Sequence, residues 1–510
     1  MPKVKATRYF VYLFLIFILG FLLRVVAINY GYPFVFHPDE PTIIRSALGI
    51  RFEANPKHFD WPHLYIYFNY FVYMIFTKIR ALFTPVTLSI LWDDSWIFYP
   101  LTRLVSALFG ICTIFPLYLA GRDVFNKKTG IFAALALAVI PFHVVYSHYA
   151  LVEAAMVFFL SWGVYFTSKI LITKYQSMPI KYYVLSGLFI GLAASTKYNG
   201  GLTAVMVPLA TLLSLLATKK TKNIKEFLIK FLSLENFKDW SVSGFFALLG
   251  FLIGTPFALF DYDTFTRTDG PKGALWQFTN VGSVSFIEQV NGFFYNIGIR
   301  VSTNMGHTVI FGFVIVFLLL LYKLIKPKAL KYISDNDVSI LSFLFIMSFG
   351  LLWYVSGFKN DRAHYHFISY PFIILIFAYF VNLLTKIKVF YVSNLFVLLS
   401  FLIPLVMSAN LSFKYYNGDT RIDLYNWLKN NPEYAKQPIV YVSSELTPIF
   451  KKAKVPQYDN SSVKLKYNKG LLILNERDKL PKGINNLAPV VEINNQYKRW
   501  YKIDIYTFEQ

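Results

Sequence analysis

Residues 9–28 read YFVYLFLIFILGFLLRVVAI. The run is long enough to span the hydrocarbon core of a bilayer as one helix. It exceeds a secretory h-region and lacks a small-residue cleavage site, so it is expected to stay as an anchor. Apolar runs of similar length recur along most of the 510 residues. The spacing predicts spans near 9–28, 99–120, 130–147, 151–171, 182–197, 200–218, 242–260, 301–322, 338–356, 364–384 and 389–409. Composition agrees: 56% of residues are hydrophobic and 15% are charged, where a soluble domain carries about a quarter charged. The expected fold class is a polytopic α-helical membrane protein. It has about eleven transmembrane helices, juxtamembrane helices on the outer face and a small soluble C-terminal α/β domain.

Charge sets the expected orientation. The net charge is +22, but the basic residues do not form one patch, which argues against nucleic acid as a partner. They gather in particular loops instead. Lys3, Lys5 and Arg8 precede the first run; Lys219, Lys220, Lys222, Lys225 and Lys230 crowd one loop; Lys323, Lys326, Lys328 and Lys331 another; Lys386 and Lys388 a third. The positive-inside rule makes these loops cytoplasmic. The N-terminus is then cytoplasmic, and an odd number of spans puts the C-terminal domain outside, in a plasma membrane. The segment 63–83 is nearly long enough to span. Counting it would reverse every later loop, so it reads as a juxtamembrane or re-entrant helix. Beyond about residue 410 the pattern turns polar and then strand-like, as in KGLLILNE and KIDIYTF. The expected division is 1–410 membrane domain and 411–510 soluble domain. Cys112 is the only cysteine, so no disulfide forms within the chain.

Polar residues then collect at the expected outer ends of the spans. HPDE after the first span sets His37, Asp39 and Glu40 together, with Arg45 downstream. A solvated helix start would look the same, since carboxylates suit that end of the helix dipole. NPKHFDWPHL supplies Lys57, His58, Asp60, Trp61 and His63. Glu153 lies just inside an apolar run, with His143 and His148 nearby. A carboxylate there is costly and by default functional. Lys197, Arg103 and Arg362 are cations at outer span ends, and Lys359, Asp361, His364 and His366 flank Arg362. Each could instead be an interfacial anchor. His364 and His366 are two apart, a spacing that turns helical rings away from one another, so that pair is not expected to hold a metal. Carboxylates together with several cations fit transfer from an anionic, lipid-linked donor. The cations receive the leaving phosphate, and a carboxylate takes the proton of an acceptor hydroxyl. There is no glycine-rich phosphate loop and no Rossmann fingerprint.

Seven stretches, in order over roughly residues 1–380, carry a resemblance: HPDE, FDWPHLYIYF, TRLVSALFGICTIFPLYLAGRDVF, YSHYALVEAAMVFF, GLAASTKYNGG, GTPFALFDYDTF and NDRAHYHFISYP. The chain resembles the GT-C glycosyltransferases, in particular the protein O-mannosyltransferase and aminoarabinose-transferase-like group that uses polyprenyl-phosphate sugars. DTRIDLYNWLKNNP is similar to that group's junction with its variable outer domain.

The resemblance implies an inverting glycosyltransferase. Asp39 is its general base with Glu40 beside it, and Glu153 is the second acidic position. Arg103 matches the arginine that relatives place near the site; from their charge and place at outer span ends, Lys197 and Arg362 are expected to hold the donor phosphate with it. From their place in the outer-face clusters, His37, His58, Trp61, His63, His148 and His364 are expected to line the substrate site. The resemblance implies a glycan, lipid or protein acceptor and no cofactor. One departure stands out: relatives often carry a prolyl pair where this chain has Trp61–Leu64. The alternatives are an oligosaccharide ligase or oligosaccharyltransferase, a transporter or lipid flippase, and a non-enzymatic scaffold. A transporter is expected to show internal repeats and broken midplane helices, and neither is evident.

Overall fold

The computed structural model describes residues 2–83, 95–173, 179–218, 223–387, 390–441, 446, 449, 458–459, 469–478 and 488–509. Lys219, Lys220, Lys222 and Lys388 lie outside the described residues. The chain is a multi-pass helical membrane protein. Nine helices among the described residues are long and apolar enough to cross a membrane: Arg8–Val25, Phe98–Val124, Glu153–Ile172, Tyr198–Ala217, Leu234–Gly254, His307–Ile325, Asp335–Ser356, Ala363–Leu384 and Ser393–Tyr416.

The other two expected spans are shorter, for different reasons. The apolar helix Lys181–Ala194 has 14 residues. It lies against Leu234–Gly254 with the backbones touching. A Cβ on Gly187 or Gly191 would overlap the carbonyl oxygens of Ser243 and Ala247, the close approach that small residues permit between membrane helices. Segment 130–147 is broken by Pro141 into Lys127–Val139 and Pro141–Tyr146. The segment expected at 242–260 begins earlier, at Leu234, where the Ser233 side chain accepts from the Asn236 N–H. Leu64–Phe83 is a continuous helix outside the nine. Tyr65, Ile66, Asn69, Tyr73 and Thr77 on one face are buried, while Phe71, Leu82 and Phe83 are exposed.

Pro141 has no N–H to give to Leu137, and the carbonyls of the turn before it lose their helical donors. Side chains supply the replacements. Arg24, fully buried, donates through Nη1 to the oxygens of Gly20 and Ala138, each at 2.9 Å. Its Nη2 donates to Leu137 O at 2.9 Å and meets His143 Nδ1 at 3.0 Å. Ser408 Oγ donates to Val139 O at 2.7 Å. The one charge in the first apolar run therefore works inside the protein, closing a helix end more than 100 residues away. Arg24→Met is expected to leave two buried carbonyls without donors, at about 1–3 kcal/mol each. The thermal unfolding midpoint in detergent should drop clearly below wild type. A midpoint equal to wild type would show that the carbonyls find other donors.

The chain divides into two compact units. The first is Met1–Val25 with Thr42–Ser408, and the second is Val26–Pro41 with Ala409–Gln510. In the first, the helix Tyr370–Leu384 is the innermost, with nearly every side chain buried. In the second, the five strands among the described residues run in the order β2-β1-β3-β5-β4: β1 Ile439–Tyr441, β2 Tyr458–Asp459, β3 Lys469–Asn475, β4 Val491–Ile493 and β5 Ile503–Glu509. β1 pairs parallel with β2 and β3, and β5 pairs antiparallel with β3 and β4. Leu471–Leu474 are buried without alternation, as fits a strand covered on both faces. The helix Thr420–Asn430 packs Leu424 and Leu428 into the core of this unit. Phe34 enters the same core. That contact places residues 26–41 with the C-terminal unit, whereas the sequence groups them with the membrane domain.

Candidate active site

In the first unit, five of the quoted stretches meet around Glu153. The helix that Glu153 opens follows a buried, non-helical turn at residues 147–152. That turn is tied to the helix Phe98–Cys112, since Ser106 Oγ donates to Leu151 O at 3.2 Å and Tyr65 OH lies 2.6 Å from Ser106 Oγ. Glu153 Oε1 lies 2.7 Å from Lys197 Nζ. The carboxylate is buried, and the Lys197 side chain keeps 11% of its exposure. Lys197 follows the last turn of Lys181–Ala194, its N–H bonded to Ala193 O at 2.9 Å. Its ammonium stands 5.4 Å from the Tyr365 ring centroid. Among the described residues, no hydrogen-bond donor reaches Glu153 Oε2, which is buried.

Tyr365 belongs to the turn that also carries Asp361, Arg362, His364 and His366. Asp361 pairs with Arg300 Nη1 at 2.8 Å, with His366 Nε2 at 3.2 Å and with Asn296 Nδ2 at 3.2 Å. Its neighbour Arg362 is exposed. Burial works to raise the Asp361 carboxyl, but the His366 hydrogen bond and the Arg300 charge bring it below the ordinary carboxylate range. His364 Nδ1 lies 3.2 Å from Tyr146 OH, so His364 and His366 serve different partners. His148 Nδ1 donates to Val144 O at 2.9 Å. Arg103 is buried, its guanidinium 5.8 Å from the Trp96 ring and 6.0 Å from Tyr99. Arg300 and Asn296 were missed in the sequence. The available signal was an isolated Arg at the start of an expected span, the same signal that singled out Arg103.

A second knot forms around residues 55–63. His58 sits between Ser46, whose Oγ is 2.7 Å from Nε2, and Asp60, which bonds Nδ1. Asn55 donates to Asp261 at 2.7 Å, and Tyr198 OH donates to Phe59 O at 2.8 Å. Lys57 is exposed and pairs with Glu53. Trp61 is half-buried. His63 is fully buried and stacks on Phe59 at 4.7 Å. Its N–H donates to Thr255 Oγ1 at 3.1 Å, and its Nε2–H donates to His58 O at 2.9 Å. A proline in place of His63 could not make the first of these bonds. His63 thus holds the loop to the helix Leu234–Gly254.

Burial pushes His63 down to about 4, so the ring is neutral in the folded protein near pH 7. Its unfolded value is about 6.5. A depressed folded pKa means the unfolded chain binds the extra proton first. Stability is therefore lost as pH falls from about 6.5 towards 4, by a few kcal/mol at most. Thermal unfolding followed across that window should show the slope, and His63→Phe, which keeps the stacked ring, should flatten it. An equal slope in both proteins would assign the effect to another group.

In the second unit, Glu40 is fully buried at the start of the helix Glu40–Gly49, and Asp39 is partly exposed. The Asp39 N–H donates to His37 Nδ1 at 3.3 Å. Arg45, five residues past Glu40 on the same helix, is exposed. Among the described residues no group of three or more His, Cys, Asp and Glu side chains is placed to hold a metal ion.

Residues 100–240, which include Arg103, Glu153 and Lys197, match the model of the family described as dolichyl-phosphate-mannose-protein mannosyltransferase. Dolichyl-phosphate-mannose–protein mannosyltransferase 1 of Saccharomyces cerevisiae is 29% identical over 164 residues, 32% of this chain and 19% of the yeast protein. The Archaeoglobus fulgidus oligosaccharyltransferase tethered with an acceptor peptide is similar in fold at a TM-score of 0.53 and 14% identity. That likeness covers 90% of this chain and 64% of the archaeal one. ArnT from Cupriavidus metallidurans, bound to undecaprenyl phosphate, aligns over 99% of this chain and 98% of its own at 10% identity and a TM-score of 0.45. Residues 100–240 are thus similar in sequence to the mannosyltransferase family, and the chain as a whole is similar in fold to the archaeal oligosaccharyltransferase.

Proposed function

We propose that this chain is a membrane glycosyltransferase that moves a sugar from a polyprenyl-phosphate-linked donor to an acceptor hydroxyl. The observation that carries the reading is the buried Glu153–Lys197 pair within the segment matched to the mannosyltransferase family. An ion pair sunk at the start of a membrane helix costs more in desolvation than a pair of apolar side chains would. It is kept where its chemistry is used. One Lys197 N–H is taken by Glu153, which leaves two for phosphate oxygens. Arg362, exposed, adds a planar fork suited to the same group. Arg103 is already buried against aromatic rings and plays a lesser part.

In the proposed reaction the acceptor oxygen attacks the anomeric carbon. The bond from that carbon to the phosphate oxygen breaks with inversion, and polyprenyl phosphate leaves with the bonding pair. Asp39 takes the acceptor's proton. Lys197 and Arg362 stabilise the added negative charge on the phosphate, so no metal is required. We assign the donor site to the outer face of the plasma membrane, with the N-terminus inside and the C-terminal domain outside. The support is the distribution of lysines.

The test is transfer of radiolabelled mannose from polyprenyl phosphate by purified protein in vesicles, with envelope extract as acceptor source and with and without EDTA. Expected are labelled, hydroxyl-linked product and free polyprenyl phosphate in both conditions. Donor that crosses the vesicle membrane intact would support a flippase. Label on amide nitrogen would support an oligosaccharyltransferase.

A further inference from the structure

Within the second unit, residues 26–41 are pinned at two points by arginines from the C-terminal part of the chain. Arg499 places its guanidinium carbon 5.2 Å from the Tyr30 ring centroid and 4.6 Å from that of Tyr415. Arg421 lies between two rings, 3.8 Å from Phe36 and 4.7 Å from Trp500. Its edge is held by Asp419 through two parallel bonds, Nε to Oδ1 and Nη2 to Oδ2, each 2.9 Å. Arg421 is 3% exposed and Asp419 2%. Asp419 is also the N-cap of the helix Thr420–Asn430, accepting from the Arg421 N–H. Phe34, one residue before Val35–Phe36, is in the core of the same unit and meets Tyr425 at 5.1 Å.

A buried ion pair with this geometry is a poor way to gain stability, because both charges lose their water. Its value lies in direction. A planar fork locked on a carboxylate presents two flat faces at fixed positions, and Phe36 is stacked on one of them. The next four residues are His37, Pro38, Asp39 and Glu40.

We propose that Arg421 is a positioning residue: it fixes Phe36 and thereby the placement of the Asp39–Glu40 turn. The proposal rests on the reading of Asp39 as the base. It gives the C-terminal unit a direct part in turnover, beyond any part in binding acceptor.

The lever is short, and a displacement near 1 Å at a reacting group can cost about 100-fold in rate. Arg421→Lys keeps the charge and loses the fork and the stacked plane. It is expected to lower kcat by roughly 10- to 100-fold with donor KM within about twofold. In amide hydrogen exchange, peptides covering 34–40 should exchange faster, while β3 and the helix Tyr370–Leu384 keep their protection. Where Arg421→Lys does not fold, Phe36→Leu removes the ring and spares the Asp419–Arg421 pair. It should give the same two changes, and Phe36→Tyr should keep both near wild type. Unchanged exchange at 34–40 in the folded variants overturns the clamp, and so does exchange that rises equally throughout the second unit. Loosened exchange with unaltered kcat overturns its role in turnover. If wild-type protein transfers no sugar, the functional reading has failed, and the exchange arm still decides whether Arg421 fixes the turn.

Discussion

Asp39→Asn is expected to reduce sugar transfer by about 10²–10⁴-fold, the usual loss when a general base is removed. The amide has the same size and keeps an oxygen for hydrogen bonding, so folding should be unaffected. The Asp39 N–H bond to His37 comes from the backbone and does not depend on the carboxylate. Glu40→Gln should behave differently. Glu40 is fully buried, so losing its charge disturbs packing and stability as well as rate. Comparing the two separates proton transfer from support. Purified variants are checked first for the wild-type unfolding midpoint and then for single-turnover transfer at saturating donor. An Asp39→Asn protein that turns over near the wild-type rate would remove Asp39 from the chemistry and leave the acidic pair as a helix start.

The second large effect concerns the Glu153–Lys197 pair. Lys197→Ala strands a carboxylate that is 1% exposed in its side chain. Breaking a buried pair from one side costs about 3–5 kcal/mol, enough to lower yield and unfolding midpoint sharply. Glu153→Gln is expected to cost less, because Lys197 retains some exposure and can turn its ammonium towards water. The double variant Glu153→Gln/Lys197→Met removes both charges. It should recover most of the stability and none of the transfer. If the double variant transfers sugar like wild type, the pair serves only the fold, and the donor phosphate is held elsewhere.

The spans were legible because apolar runs of the right length have one physical meaning in a chain this poor in charge. The break at Pro141 was not read from the sequence, because the apolar run 130–147 around it was long enough to hide it. The role of Arg24 could not be read locally. An arginine near the end of an anchor helix looks like an interfacial residue until the free carbonyls of Leu137 and Ala138 are placed beside it. Glu153 stood out because a carboxylate in an apolar run demands a reason. Its partner Lys197 stood out separately, as a cation at a span end, and nothing in the spacing joined the two. In the sequence Asp361 stands beside Arg362, whereas the structure gives it Arg300, 61 positions earlier, together with His366 and Asn296. Sequence proximity favours i, i+1 neighbours, and a turn with β-like backbone at Arg362 sends adjacent side chains in different directions.

The grouping of residues 26–41 with the C-terminal unit bears on how such a protein can be recombined. A chimera joined only near residue 408 would import a foreign domain against a native 26–41 segment. Phe34 would then lack Leu424 and Leu428, and Phe36 would lack the guanidinium of Arg421. Exchange of the C-terminal domain between similar proteins thus calls for a two-piece graft, with the sixteen or so residues after the first membrane helix travelling with the domain they fold into. The same constraint acts on natural shuffling. A discontinuous module is gained or lost only when both pieces move together, which ties the history of the HPDE loop to that of the distant C-terminal domain.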